Sequence, residues 1–381
     1  MDLENQPSGG EPPIPQLVPH HITRLKIAAI VLTAIGVGLF AYFVYSIGYR
    51  ELAGEVVKLG ISGFAVLLLL YFLRLTVRAS AWKLSVGEPY KLPIRDALTG
   101  VIIGEAMSSV IPLGILVSGT AKAVAVRRRL PLVVGLSSVA TENLFYSFIT
   151  SLFLILGSLT LVRSFELEEG WVFTIDVLIA ALIGVIVFLI LLVVRQWHLA
   201  SELCERLYQQ GFARSVTGKW RMHIRLFENF IFSFYRQYPK RFLPICLFEI
   251  AYHSLGIAEV WYILSQIGDR VPHLTQAFLL ESVSRLITIV FKLVPFVIGV
   301  DEAGAQFVAR TLGMAAGIGV TIALLRKGRM LFWTSVGMLL IIKRGLSLRN
   351  FPPCSTGGTK KSGSHIGEPL RKFSLKIYRL S

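Results

Sequence analysis

The groups most able to do chemistry lie in and just ahead of residues 291–329. That stretch is apolar enough for a bilayer, yet it holds Lys292, Asp301, Glu302, Arg310, Arg326, Lys327 and Arg329. Charges at membrane depth cost about 2.5–3.5 kcal/mol each on insertion scales, so they normally face a protein interior or a wet cavity. Glu281, Arg285, Thr288 and Lys292 follow i, i+4, i+7, i+11 spacing and share one helix face. Such a stripe is either a cavity wall that meets a charged headgroup or a salt-bridge ladder inside a helix bundle. Pro295 and Gly299 interrupt the run, and Asp301 or Glu302 can cap the helix that restarts there. Capping accounts for these two acids by itself; coupling to a proton or cation is the other reading. Arg326 has the same two sides, a headgroup contact or a structural ion pair.

A second set precedes it. Glu105, Ser108 and Ser109 share a helix face before a break at Pro112 and Gly114, and Lys122 follows the break. Lys122 suits a phosphate or a simple interfacial position. Glu142 stands near the middle of the next apolar run. The candidate headgroup cavity is therefore Glu105, Lys122 and Glu142 from one region with Glu281, Arg285, Lys292, Asp301, Glu302 and Arg326 from the other. Glu142 is the positional counterpart of Arg326, and the two are expected to pair. Glu249 and His253, four apart with Glu259 beyond, suit a proton relay or a satisfied buried histidine. Arg74 and Arg78 are expected to snorkel to the cytoplasmic interface, and Arg127 to Arg129 to fix topology.

Catalytic signatures are lacking. The chain has no H-E-x-x-H, P-loop or G-x-S-x-G elbow, and Cys204, Cys246 and Cys354 show no C-x-x-C spacing. No metal, cofactor or enzymatic activity is expected, and an ATP-driven pump is disfavoured.

The elements that hold these groups follow from hydropathy. The chain has 381 residues, 54% of them apolar and 16% charged, and its mean hydropathy is +0.65. Several runs reach the ~20 residues that cross hydrocarbon, which makes this an all-α polytopic membrane protein. The net charge of +16 sits beside apolar segments, so positive-inside topology and anionic lipid explain it better than nucleic acid. Residues 1–22 are Pro- and Gly-rich and expected to be disordered. The membrane domain spans 23–348, with helices about 26–47, 61–82, 131–162, 171–194, 242–266 and 315–342. The segment 195–241 holds nine Lys/Arg against three Glu and reads as amphipathic helices on the cytoplasmic surface. The tail 349–381 is basic.

The charge pattern decides topology. A full crossing by 97–127 would place the acidic linker 163–170 inside and the basic 195–241 outside, which inverts the usual bias. A hairpin that enters from the cytoplasm and returns puts both loops on the expected sides. The same logic makes 275–313 a hairpin from the opposite face. Two similar regions result, repeat one about 61–162 and repeat two about 242–342. From Pro112 to Glu142 is 30 residues and from Pro295 to Arg326 is 31. The expected architecture is about six full spans plus two opposed re-entrant hairpins in an inverted repeat, in the cell (inner) membrane with both termini cytoplasmic.

The segment VPFVIGVDEAGAQFVARTLGMAAGIGVTIALLRK resembles the Pro–Gly–Gly–x–Gly–x–x–Glu signature of the lysylphosphatidylglycerol synthase transmembrane region family, or flippase-like membrane proteins. Gly299, Glu302, Gly313 and Arg326 fall on that signature and on the Leu–Gly helix and mid-span Arg that follow it. IPLGILVSGTAKAVAVRRRLP is similar to the family's earlier Pro–Gly–x–x–Gly segment. The chain departs from the pattern at Pro112-Leu113, at Pro295-Phe296, and at Glu142, where many relatives carry Arg. GVDEAG with LLRKGR is similar to a subgroup associated with hopanoid or other isoprenoid lipids. The resemblance covers roughly 25–345 and implies movement of a lipid or lipid-linked precursor across the bilayer, with anionic or isoprenoid-type membrane lipids as partners. No counterpart of the aminoacyl-transferring domain of fused relatives is expected in these residues, so synthase activity is not carried over. The alternative is a non-catalytic scaffold for a lipid-modifying enzyme, docked through 195–241.

Overall fold

The long apolar runs form helices, and Pro or Gly stands at several of the breaks between helices, as at Pro131 and Gly268. A computed structural model describes residues 49–110, 114–165, 169–196, 199–209, 214–268, 272–291, 299–314 and 317–343. All belong to one unit, Gln16–Leu346. The expected first span, the N-terminal segment 1–22, the tail 349–381, Lys292 and Pro295 lie outside the described residues. Eleven α-helices are present among the described residues: α1 (Tyr49–Leu84), α2 (Ile94–Val110), α3 (Gly114–Ala125), α4 (Leu132–Ser164), α5 (Glu169–Val194), α6 (Leu199–Gln209), α7 (Arg214–Gln237), α8 (Phe242–Ile267), α9 (Leu274–Val290), α10 (Val300–Thr311) and α11 (Ile318–Lys343).

Among the described residues, four helical stretches are long and apolar enough to cross a membrane: Leu59–Leu84, Leu132–Ser164, Val172–Arg195 and Pro239–Ile267. The protein is a multi-pass membrane protein. α11 has the length, 26 residues or about 39 Å at 1.5 Å per residue, but Arg326, Lys327 and Arg329 lower its apolar content. α5 is the opposite case, since none of its most apolar window is buried inside the protein.

The remaining helices pack in a paired pattern. α1 lies against α8. α2 packs on α3 as α9 packs on α10, and α3 packs on α4 as α10 packs on α11. The crossings between halves correspond as well: α2 meets α11 while α9 meets α4, and α1 meets α11 while α8 meets α4. Exchanging α1–α4 with α8–α11 therefore maps these contacts onto themselves.

Glycines make the closest of these crossings possible. Lipid tails are as apolar as Leu, so membrane helices associate through close packing, which small residues permit. A Cβ at Gly319 of α11 would lie 2.4 Å from the Ala305 carbonyl of α10, and one at Gly135 of α4 would lie 3.3 Å from Ala123 Cβ of α3. In the crossings between halves, a Cβ at Gly157 would lie 2.5 Å from Ser282 Oγ, and one at Gly337 would lie 2.4 Å from Ala106 Cβ. Corresponding crossings thus use a glycine on the corresponding long helix.

Local chemistry closes the helix ends. Gly313, at φ +66°, lets α10 end in a Schellman turn: its N–H donates to Arg310 O and that of Met314 to Ala309 O, both at 2.9 Å. Arg241 donates to the carbonyls of Leu84 (3.4 Å) and Val86 (2.9 Å) just past α1. α6 and α7 pack together, and α7 also packs on α4. Glu228 of α7 accepts the N–H and hydroxyl of Ser201 in the first turn of α6.

Candidate functional site

Between the two halves lies a cavity of about 210 Å³. It is walled by α1, α2, α3, α4, α8, α9, α10 and α11. The apolar clusters around Leu67, Ile263, Leu279 and Ile322 and around Leu75, Trp82, Val101 and Val139 flank it.

Charge dominates its wall. On the side of α9 and α11, Arg74 lies 3.2 Å from both Glu259 and Glu281. Arg285 lies 2.8 Å from Glu281. Arg326 bonds to Glu281 and is 3.6 Å from Glu259, and Arg329 bonds to Glu259. Four guanidiniums thus share two carboxylates. Their Nε–H groups, on Arg74, Arg285, Arg326 and Arg329, are buried without a hydrogen bond among the described residues, Arg326 Nε coming no nearer than 3.6 Å to Glu259. Buried donors left in this way are costly and suit an anionic ligand.

On the side of α2–α4 the charges balance. Arg78 lies 3.0 Å from Glu142 and 3.4 Å from Glu105, and Lys122 lies 3.6 Å from Glu142. Arg78 also donates to Asn143 Oδ1 at 3.4 Å. Lys122 is 1% exposed and Glu142 0%, so the two opposite charges are buried beside each other.

Tyrosines hold the arginines flat. Tyr252 of α8 has Arg74, Arg78 and Arg285 within 4.5, 5.6 and 5.4 Å of its ring centre. Arg78 also lies over Tyr146 at 4.5 Å, and Arg329 over Tyr71 at 4.1 Å. A guanidinium over a ring face is attracted by the ring without using its hydrogen-bond donors. Tyr252 is thus a hub that spacing alone does not mark, because an aromatic residue on a membrane helix is ordinary.

Of the sequence candidates, Glu105, Lys122, Glu281, Arg285, Asp301 and Arg326 line the cavity. Ser108, Ser109 and Thr288 do so as well. Glu142 is buried behind it, accepting from Arg78 Nε–H and paired by charge with Lys122. Glu302 is also buried; its carboxylate accepts the Gly299 N–H at 2.8 Å and pairs with Lys327 at 2.6 Å. Capping and pairing coexist there. Asp301 accepts the Ser284 hydroxyl at 2.6 Å.

Two expectations are corrected. Arg74 and Arg78 do not sit at an interface: Arg74 is 1% exposed, and both bridge buried acids of other helices. From α1 they reach carboxylates on other helices, and those partners compensate charges that burial would otherwise leave unpaired. Arg326 and Glu142 do not pair with each other. Each finds opposite charge within its own half, Arg326 with Glu281 and Glu142 with Arg78 and Lys122.

The fold and cavity define a class, a multi-pass α-helical membrane protein with an ionised interior chamber between two similarly packed halves. The chain belongs to the lysylphosphatidylglycerol synthase TM region family, whose description matches residues 26–337. No curated protein and no solved structure gives a significant match.

Proposed function

We propose that the protein carries a lipid or lipid-linked precursor across the bilayer, with an anionic headgroup in the cavity and the acyl or isoprenoid chains left in the membrane. The family name speaks of lipid synthesis in its relatives' membrane region. The observation that carries the reading is the excess of guanidinium on one wall: four arginines share two carboxylates and keep unmet Nε–H donors. A phosphate accepts from such donors in the geometry arginine offers. Ser108, Ser109 and Thr288 add hydroxyls for the rest of a headgroup.

The paired packing supports an inverted repeat, with α2–α3 and α9–α10 as hairpins entering from opposite faces and both termini cytoplasmic in the inner membrane. Sites at the interface of such repeats suit alternating access. The test is lipid movement in proteoliposomes over a panel of anionic, zwitterionic and isoprenoid lipids. An anionic lipid should move faster than in empty vesicles. If no member of the panel does, the carrier reading fails.

A further inference from the structure

Glu249 stands apart from the ion pairs described above. It lies on α8, 0% exposed, and neither carboxyl oxygen has a hydrogen-bond partner among the described residues. An ionised carboxylate buried without a partner is among the costliest groups a fold can hold, and uptake of a proton relieves that cost.

Its surroundings are specific. The charges that bear on it are Glu142 from α4, Arg78 from α1 and Lys122 from α3. Both cations already bond to Glu142, so Glu249 is a second acid beside a matched set. On its own helix, Cys246 precedes it by one turn and His253 follows by one. His253 Nε2 lies 3.0 Å from Thr150 Oγ1, and its ring stacks on Phe153 at 4.6 Å. From α9, Glu281 and Arg285 act on His253. From α11, Arg326 and Arg329 meet Glu259 further along. Arg241, in the turn before α8, is committed to Leu84 and Val86.

We propose that Glu249 is the proton-binding group of the carrier, taking up one proton as an anionic headgroup enters the cavity and releasing it when the headgroup leaves. The proposal rests on the carrier reading above. The headgroup draws Arg78 and Lys122 toward itself and adds negative charge, and both changes favour the neutral carboxyl. Glu249 then gains one proton from the aqueous side that delivers the lipid and returns it to the side that receives it. By linkage, proton and headgroup strengthen each other's binding by the same factor. Lipid and proton therefore travel in the same direction.

The experiment uses the full chain in phosphatidylcholine vesicles doped with fluorescent phosphatidylglycerol, with and without an imposed pH difference. One proton per lipid lets a difference of about one pH unit skew the label between leaflets by up to about tenfold. Glu249→Gln should move the label but leave it evenly distributed. A wild-type distribution indifferent to the gradient overturns the proposal, as does a Glu249→Gln variant that responds like wild type. A response to sodium at equal pH on both sides overturns it too. Infrared spectra of the reconstituted protein give an independent readout, the carbonyl band of a buried protonated carboxyl, which should grow in wild type as phosphatidylglycerol is added or the pH is lowered. If wild type does not move this label, a lipid of the panel above that it does move takes its place; if it moves none, the carrier reading fails, and the proton site then stands if Glu249→Gln removes a band that wild type gains on lowering the pH and falls if that band is absent or unchanged. If the variant does not fold, the wild-type gradient response and wild-type band decide.

Discussion

The Arg74 guanidinium and the Glu281 carboxylate lie 3.2 Å apart across 207 residues of sequence, joining α1 of the first half to α9 of the second. One turn further along α1, Arg78 turns to Glu142 and Glu105 instead. Two arginines four residues apart thus tie one helix to the charge clusters of both halves. Any movement of the halves about the cavity has to break or exchange these bonds.

Glu281 serves Arg74, Arg285 and Arg326 together. Glu281→Gln leaves three buried guanidiniums around a neutral group. Removing one member of a buried ion pair costs about 3–5 kcal/mol, so the variant should show a markedly lower thermal midpoint in detergent. Arg285→Gln should fall less, because Arg74 and Arg326 still neutralise Glu281. Equal midpoints for the two variants would refute this ordering.

The glycine contacts predict a graded series. Gly319→Ala and Gly337→Ala each drive a Cβ to 2.4 Å from a neighbour, a backbone carbonyl in the first case, whereas Gly135→Ala meets its neighbour at 3.3 Å. Overpacking of this kind costs about 1–3 kcal/mol. Unfolding midpoints should place Gly319→Ala lowest and Gly135→Ala nearest wild type.

Arg241→Ala removes donors to two carbonyls beyond α1 and a stack over Tyr238 at 4.4 Å. Its partner Glu88 is 69% exposed, and exposed pairs contribute about 0–1 kcal/mol. Arg241→Ala should therefore destabilise by about 1–2 kcal/mol through the lost backbone bonds, while Glu88→Ala changes little. Chemical denaturation of the two variants checks this.

Topology is open to direct labelling. Glu169→Cys and Glu202→Cys, placed at exposed positions in a chain whose native cysteines are replaced, should react from opposite sides of the membrane. Labelling from one side only would contradict the crossing by α5.

Much of the helix plan is legible in the sequence, because long apolar runs and Pro or Gly interruptions are local signals. The run expected at 131–162 is α4 at Leu132–Ser164, and that at 242–266 is α8 at Phe242–Ile267. The polar face of Glu281, Arg285 and Thr288 was equally visible, since helical spacing alone brings it to one wall. Partner choice was not. Arg74 and Arg78 lie near the end of an apolar run, where a snorkelling arginine looks the same as one reaching into the bundle. Only the packing of α1 among α8, α2, α11 and α4, which brings acids of other helices to these two residues, distinguishes them. Arg326 and Glu142 share a repeat position, but each has nearer opposite charge in three dimensions. Tyr252 carries no polar signal in sequence, so its three arginine contacts emerge only from the fold.

The central claim is that the chamber between the halves holds the headgroup during transfer. The most direct measurement compares anionic lipid movement by wild type, Arg285→Gln and Arg310→Gln at matched reconstitution. Arg285 lines the cavity, whereas Arg310 is an exposed residue at the end of α10. A charge-assisted hydrogen bond contributes about 1.5–3 kcal/mol, so Arg285→Gln should slow transfer about tenfold or more, with Arg310→Gln at the wild-type rate. Transfer by Arg285→Gln as fast as wild type, or an equal loss in both variants, would contradict a headgroup site in this cavity.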